Sequence, residues 1–131
     1  MAVHNFKPVF SRLRDMLKRH AGSLVVKSDR ADYYGLEAAI GPATLRAWGG
    51  KTKSRTMAVA WVKVGKSYVS YHLMGIYAYP KFLDGCSHDL LARMQGKSCF
   101  NFKVVDERLF EELEKLTVKS LEGMKKTGFT S

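Results

Sequence analysis

A chain of 131 residues with 46% hydrophobic content can bury roughly two-thirds of its unfolded surface in one core, so a single domain over 1–131 is expected. No stretch approaches the ~18 apolar residues of a membrane span. The N-terminal MAVHNFKPVF lacks the apolar core and small-residue cleavage site of a signal peptide, and two cysteines in a domain of this size read as free thiols of the cytoplasm. The net charge of +10 is uneven: residues 1–66 carry 13 Lys/Arg against 4 Asp/Glu, residues 67–131 carry 9 against 8. Such asymmetry suits an anionic partner, while basic loops that only aid solubility are the plainer explanation.

The first expected element is a helix over Phe6 to Ala21. Phe6, Val9, Phe10, Leu13, Met16 and Leu17 fall at three- and four-residue steps, Pro8 suits a first turn, and Gly22 suits the position past the end. The pattern then changes to strands. Residues 24–27 and 33–39 flank the polar stretch Ser28-Asp29-Arg30-Ala31, which reads as a turn. Gly41-Pro42 breaks the second run, and Thr44 to Trp48 reads as a further short strand. A glycine-rich basic loop, GGKTKSR (Gly49 to Arg55), follows. Met57 to Val64 and Ser67 to Ile76 are separated by Gly65-Lys66, the spacing of a tight hairpin.

Pro80 opens a helical turn. Ser87 is placed to cap a short helix from His88 to Gln95, ended by Gly96. Ser98 to Val105 reads as a strand with Phe100, Phe102 and Val104 inward and Cys99, Asn101 and Lys103 outward. Asp106 caps a last helix whose Leu109, Phe110, Leu113, Leu116, Leu121 and Met124 share a face. Lys125, Lys126 and Gly128 close it, as the helix dipole and C-cap geometry favour. The expected fold is α+β and two-layered: one mainly antiparallel sheet of about five strands, with the terminal helices packed on one face.

Chemistry-bearing motifs are few. Gly-Lys-Ser/Thr occurs at Gly50-Lys51-Thr52, Gly65-Lys66-Ser67 and Gly96-Lys97-Ser98, but a Walker loop needs a glycine five positions earlier, where Leu45, Ala60 and Leu91 stand. Cys86, His88, Cys99 and His72 include metal-ligand types without chelating spacing, so no metal site and no cofactor are expected. Cys99 with His72, or Cys86 with His88, could make a thiolate pair, yet no orienting carboxylate is evident and an enzyme is not the favoured reading. Lys51, Lys53, Arg55, Lys63 and Lys66, near Trp48, Trp61 and Tyr68, could serve phosphates and stacking in nucleic-acid binding. The favoured reading is a non-enzymatic ligand-binding domain. In the 67–76 strand Val69, Tyr71 and Leu73 alternate with outward Tyr68, Ser70, His72 and Met74. If that strand neighbours the 98–105 strand, Tyr68, Ser70, His72, Cys99 and Asn101, aided by Lys97, form a polar face for a small anionic ligand.

The run KSYVSYHLMGIY (Lys66 to Tyr77) with GCSHDLLARMQGKSCFNF (Gly85 to Phe102) resembles the YdhG-like family of small bacterial domains of unknown function. The motifs that carry it are Tyr68-Val69-Ser70, His72-Leu73-Met74 and Arg93 to Phe102. The resemblance implies a compact α+β fold with terminal helices on an antiparallel sheet. Some members of the broader family are described as frataxin-like iron chaperones, which makes metal carriage a further alternative. Frataxin-like iron binding uses an acidic ridge, whereas the first half of this chain is strongly basic.

Overall fold

A computed structural model of the protein describes residues 6–22, 24–50 and 55–130. The amphipathic N-terminal segment forms α1 (Lys7–Lys18), with Pro8 in its first turn and Val9, Phe10, Leu13, Met16 and Leu17 buried. Two antiparallel strands follow, β1 (Val25–Arg30) and β2 (Tyr33–Ala39). Residues 28–30 of the turn expected at 28–31 are therefore strand, and the chain reverses at Ala31-Asp32, so that only Ala31 of the expected turn lies in the observed one. The polar residues Ser28, Asp29 and Arg30 pair with Gly35, Tyr34 and Tyr33. They tolerate strand geometry because β1 lies at the sheet edge, where polar side chains reach water.

A second correction falls on Thr44 to Trp48, which is not a strand. It lies mainly in the helix α2 (Pro42–Ala47), started by Pro42 after an extended Gly41. Its Thr44 hydroxyl donates to the Phe129 carbonyl at 2.9 Å, while a Cβ on Gly41 would stand 2.1 Å from the Gly128 carbonyl oxygen. This contact with the C-terminal segment, which joins the sheet through an Ile40–Thr130 bridge, overrides the β-like local sequence.

Strands β3 (Thr56–Val64) and β4 (Val69–Leu73) are joined by a loop of four residues rather than two, closed by Gly65 N–H donating to the Tyr68 carbonyl at 2.9 Å. The strand expected to reach Ile76 stops at Leu73. Met74–Ala78 turns inward as helix α3, because Gly75 packs directly on Ser120 of the last helix. A 3-10 turn at Pro80–Leu83 leads to α4 (His88–Leu91), capped by the Ser87 hydroxyl, which accepts from Leu90 N–H at 3.1 Å.

The helix expected to run to Gln95 ends earlier. Met94–Gln95 forms β5, which pairs with β6 (Cys99–Phe102), and Gly96 sits at φ +76° in the turn between them. Gly96 thus serves a hairpin rather than a helix end. Val104, expected in the core, lies beyond β6 and is 70% exposed. Asp106 accepts from Leu109 N–H at 3.1 Å and starts α5 (Glu107–Lys126) as expected.

The six strands form one antiparallel sheet in the order β1-β2-β3-β4-β6-β5, one strand more than expected, with the terminal helices on one face. Val69, Tyr71, Leu73, Phe100 and Phe102 are buried beneath them. Tyr71 is the central tie: its hydroxyl lies 2.6 Å from Thr117 Oγ1, which itself donates to the Leu113 carbonyl at 2.8 Å. Burial pushes the Tyr71 phenol well above its usual range, so it stays a neutral hydrogen-bonding group. Among the described residues no helix is long and apolar enough to cross a membrane.

The α3–α5 contact has little slack. A Cβ on Gly75 would meet Ser120 Oγ at 2.1 Å and the Ser120 carbonyl at 2.9 Å. Gly75→Ala should lower stability by about 1–3 kcal/mol, read as a reduced urea midpoint. Ser120→Ala should cost under ~1 kcal/mol, because the buried Ser120 hydroxyl has no hydrogen-bond partner to lose among the described residues.

Candidate functional site on the open sheet face

With both terminal helices on one side, the residues alternating with Val69, Tyr71, Phe100 and Phe102 point to the other. The register aligns them in two rows across the sheet. One row reads Ser28, Gly35, Trp61, His72, Cys99, Gln95, and the other Arg30, Tyr33, Lys63, Ser70, Asn101. The expected neighbours therefore meet: β4 lies beside β6, pairing His72 with Cys99 and Ser70 with Asn101.

These side chains touch. Cys99 Sγ is 3.6 Å from His72 Nε2 and donates to Asn101 Oδ1 at 3.2 Å, and Asn101 Nδ2 donates to Gln95 Oε1 at 2.6 Å. Trp61 stacks on His72 with ring centroids 4.7 Å apart and planes 11° from parallel. Burial, with a smaller contribution from Lys63, lowers the His72 pKa from the usual 6.5, which favours a neutral ring at pH 7. Burial raises the Cys99 thiol. If the thiol proton goes to Asn101, the His72 Nε2–H faces the sulfur as a donor. The ring is then in the wrong tautomer to take a proton from Cys99, so the cluster presents hydrogen-bonding groups rather than an activated nucleophile.

Lys63 supplies the positive charge of the face. It lies between Tyr33 and Ser70 in the register, and no carboxylate among the described residues forms an ion pair with it. Arg30, at the edge, has its guanidinium 5.5 Å from the Tyr33 ring centre and 3.8 Å from Asp32.

The remaining expected residues are more scattered. Tyr68 sits half-buried in the β3–β4 loop. Lys97 lies in the β5–β6 turn, its ammonium 6.0 Å from the Tyr77 ring centre. Of the alternative basic set, Lys51 and Lys53 lie outside the described residues. Arg55 precedes β3 and Lys66 follows it, so a nine-residue strand separates them by roughly 30 Å. Only Lys63 of that set belongs to the open-face rows. The Gly-Lys-Ser motifs at 65 and 96 are both turns between strands.

Residues not singled out for this face include Gly35, Tyr33, Arg30 and Gln95. Alternation along β2 could have identified Tyr33 and Gly35. Trp61, counted only as a stacking residue of the basic region, belongs here by its alternation with buried Ala60 and Val62.

Elsewhere, three of the five carboxylates of α5 are engaged. Glu107 pairs with Arg12, and Glu114 holds Arg19 at 2.9 Å and His20 at 2.8 Å. The Arg19 hydrogen bond, more than any other contact, draws the Glu114 pKa down. Glu112 receives Ser87 Oγ at 2.7 Å. Among the described residues no three His, Cys, Asp or Glu side chains are placed to hold a metal ion. Both cysteines are free.

Because folding disfavours protonated His72, the unfolded chain takes up that proton first. The His72 contribution is full above pH ~6.5 and is lost as pH falls through the lowered folded-state pKa. A proton-NMR titration should place His72 below 6.5, and His72→Gln should flatten the loss of stability on acidification in that window. Cys99 should alkylate more slowly at pH 8 than a free cysteine, as mass spectrometry of iodoacetamide-treated protein can measure.

No family model, curated protein or solved structure matches the chain, so the likeness to the YdhG-like family rests on its motifs alone.

Proposed function

We propose that the open face of the sheet binds a small anionic ligand and that the protein is a non-enzymatic cytoplasmic binding domain. The observation that carries this reading is the row Tyr33, Lys63, Ser70, Asn101. It sets Lys63, which has no ion-pair partner among the described residues, in one row with a hydroxyl and an amide on the face opposite the terminal helices. Ser70 is only 9% exposed, which lowers the entropic cost of holding its hydroxyl in place. An anion replaces part of its hydration shell with the Lys63 charge and these donors. The raised thiol pKa of Cys99 and the engagement of Glu107, Glu112 and Glu114 of α5 support binding over catalysis. The same engaged acids weigh against carriage of iron by an acidic ridge.

Inorganic phosphate at constant ionic strength is the simplest probe. Saturable amide shifts in a nitrogen–proton NMR titration should concentrate at Lys63, Ser70 and Asn101. Lys63→Ala should abolish them, and Lys115→Ala on the exposed side of α5 should leave them intact. Shifts that never saturate, or that spread over α1 and α5, would overturn the assignment.

A further inference from the structure

The row next to Lys63 contains a gap. Trp61 stands between His72 of β4 and Gly35 of β2. The imidazole covers one face of the indole, and on the other side lies Gly35, which has no side chain of its own and carries the edge of the Tyr33 ring over it. The result is a crevice of about 40 Å³ lined by Lys27, Ser28, Tyr33, Gly35, Glu37 and Trp61, among others. A Cβ on Gly35 would enter it, 3.0 Å from Tyr33 Cε1 and 3.6 Å from Trp61 Cβ.

The ends of this crevice are chemically unlike. Glu37 lies at one, its carboxylate held by the Thr56 hydroxyl at 2.5 Å. Beyond the other, outside the crevice lining, Lys63 and Arg30, the latter with its Nε 3.8 Å from Asp32, flank Tyr33 from the two neighbouring strands. From the Gly35–Trp61 pair to the Tyr33–Lys63 pair is two residues, about 7 Å along the strands.

A planar ring edge between Trp61 and Tyr33, an exocyclic amine toward Glu37 and an anion between Arg30 and Lys63 together describe one ligand chemistry. We propose that the open face recognises a nucleotide unit, with the edge of its base entering between Trp61 and Tyr33 beside Gly35 and its phosphate at Lys63 and Arg30. This deepens the anionic-ligand reading and rests on it. Stacking on an aromatic face is indifferent to which base is present, and the carboxylate favours bases with an amino group. The same unit can come from a free mononucleotide or from single-stranded nucleic acid, for which a net charge of +10 supplies long-range attraction.

The test uses the full chain carrying Trp48→Phe, which leaves Trp61 as the only indole. Its fluorescence is titrated with AMP, ribose 5-phosphate and an eight-nucleotide single strand, and binding of inorganic phosphate is followed by NMR. AMP should quench Trp61 and bind at least tenfold more tightly than ribose 5-phosphate or phosphate. Gly35→Ala should remove that advantage while leaving phosphate affinity within twofold. Trp61→Leu, with affinities read by NMR, checks the stacking partner independently should the alanine variant fold poorly. An oligonucleotide much tighter than AMP, with steep salt dependence, identifies single strands as the source; equal affinities identify the free nucleotide. Phosphate binding at Lys63 with no gain from the base overturns this inference and leaves the anion site standing. Failure of phosphate and AMP alike overturns both.

Discussion

Tyr71 is the residue on which the rest of the architecture turns. Its ring is buried at the centre of the sheet and its hydroxyl reaches Thr117 on α5. That bond ties the long C-terminal helix to the middle of β4 and settles which face of the sheet is covered. A one-residue slip of β4 would turn Ser70 and His72 into the apolar layer under the helices and expel Val69, Tyr71 and Leu73. The cost of burying those polar groups unpaired, added to the lost Tyr71–Thr117 bond, makes the register effectively unique. The polar rows of the opposite face are a direct consequence.

Asymmetry follows from that anchor. The helix side is closed by apolar packing and by close approaches at glycine, where Gly75 meets Ser120 and Gly123 meets the Phe82 ring. The exposed edge of the α1–α5 layer is trimmed with ion pairs such as Arg12–Glu107 and Arg19–Glu114. Pairs of this kind add little stability, but they occupy the acids that would otherwise give the protein an acidic surface. The open sheet side has the opposite character, with cations, amides, a neutral imidazole and half-buried aromatic rings. One molecule thus keeps most of its acid–base pairing among the described residues on the helical side and places Lys63, without an ion-pair partner among them, on the strand beside Trp61 and opposite Ser70.

Much of this was legible in the chain. The stripe Val9, Phe10, Leu13, Met16, Leu17 identifies α1. Asp106 and Ser87 act as the caps their spacing indicates, and alternation sorts Tyr71 from His72 and Phe100 from Cys99. Other local readings did not survive, and four of them show why. Ser28 to Arg30 has turn composition, yet an edge strand accommodates polar side chains. Thr44 to Trp48 has β-like composition, yet Pro42 and the contact with Gly128 and Phe129 make it helical. Met74 to Ile76 leaves the strand because Gly75 seats against Ser120. Arg93 to Gln95 leaves the helix because Met94 and Gln95 find backbone partners in β6.

By itself, the sequence determined the periodicities: which segments are amphipathic helices, which strands alternate, and which side chains of a given strand share a side. Those properties arise between residues two to four positions apart, so they can be read locally. Tertiary structure alone decided that β4 lies between β3 and β6, which sets Trp61 against His72 and Lys63 beside Ser70 and Asn101. It also decided that Gly35 falls opposite Trp61, with the Tyr33 ring over the glycine. Strand order and register depend on contacts between residues far apart in the chain, selected by which arrangement buries Tyr71 and its neighbours under α1 and α5. No short window of sequence contains that choice.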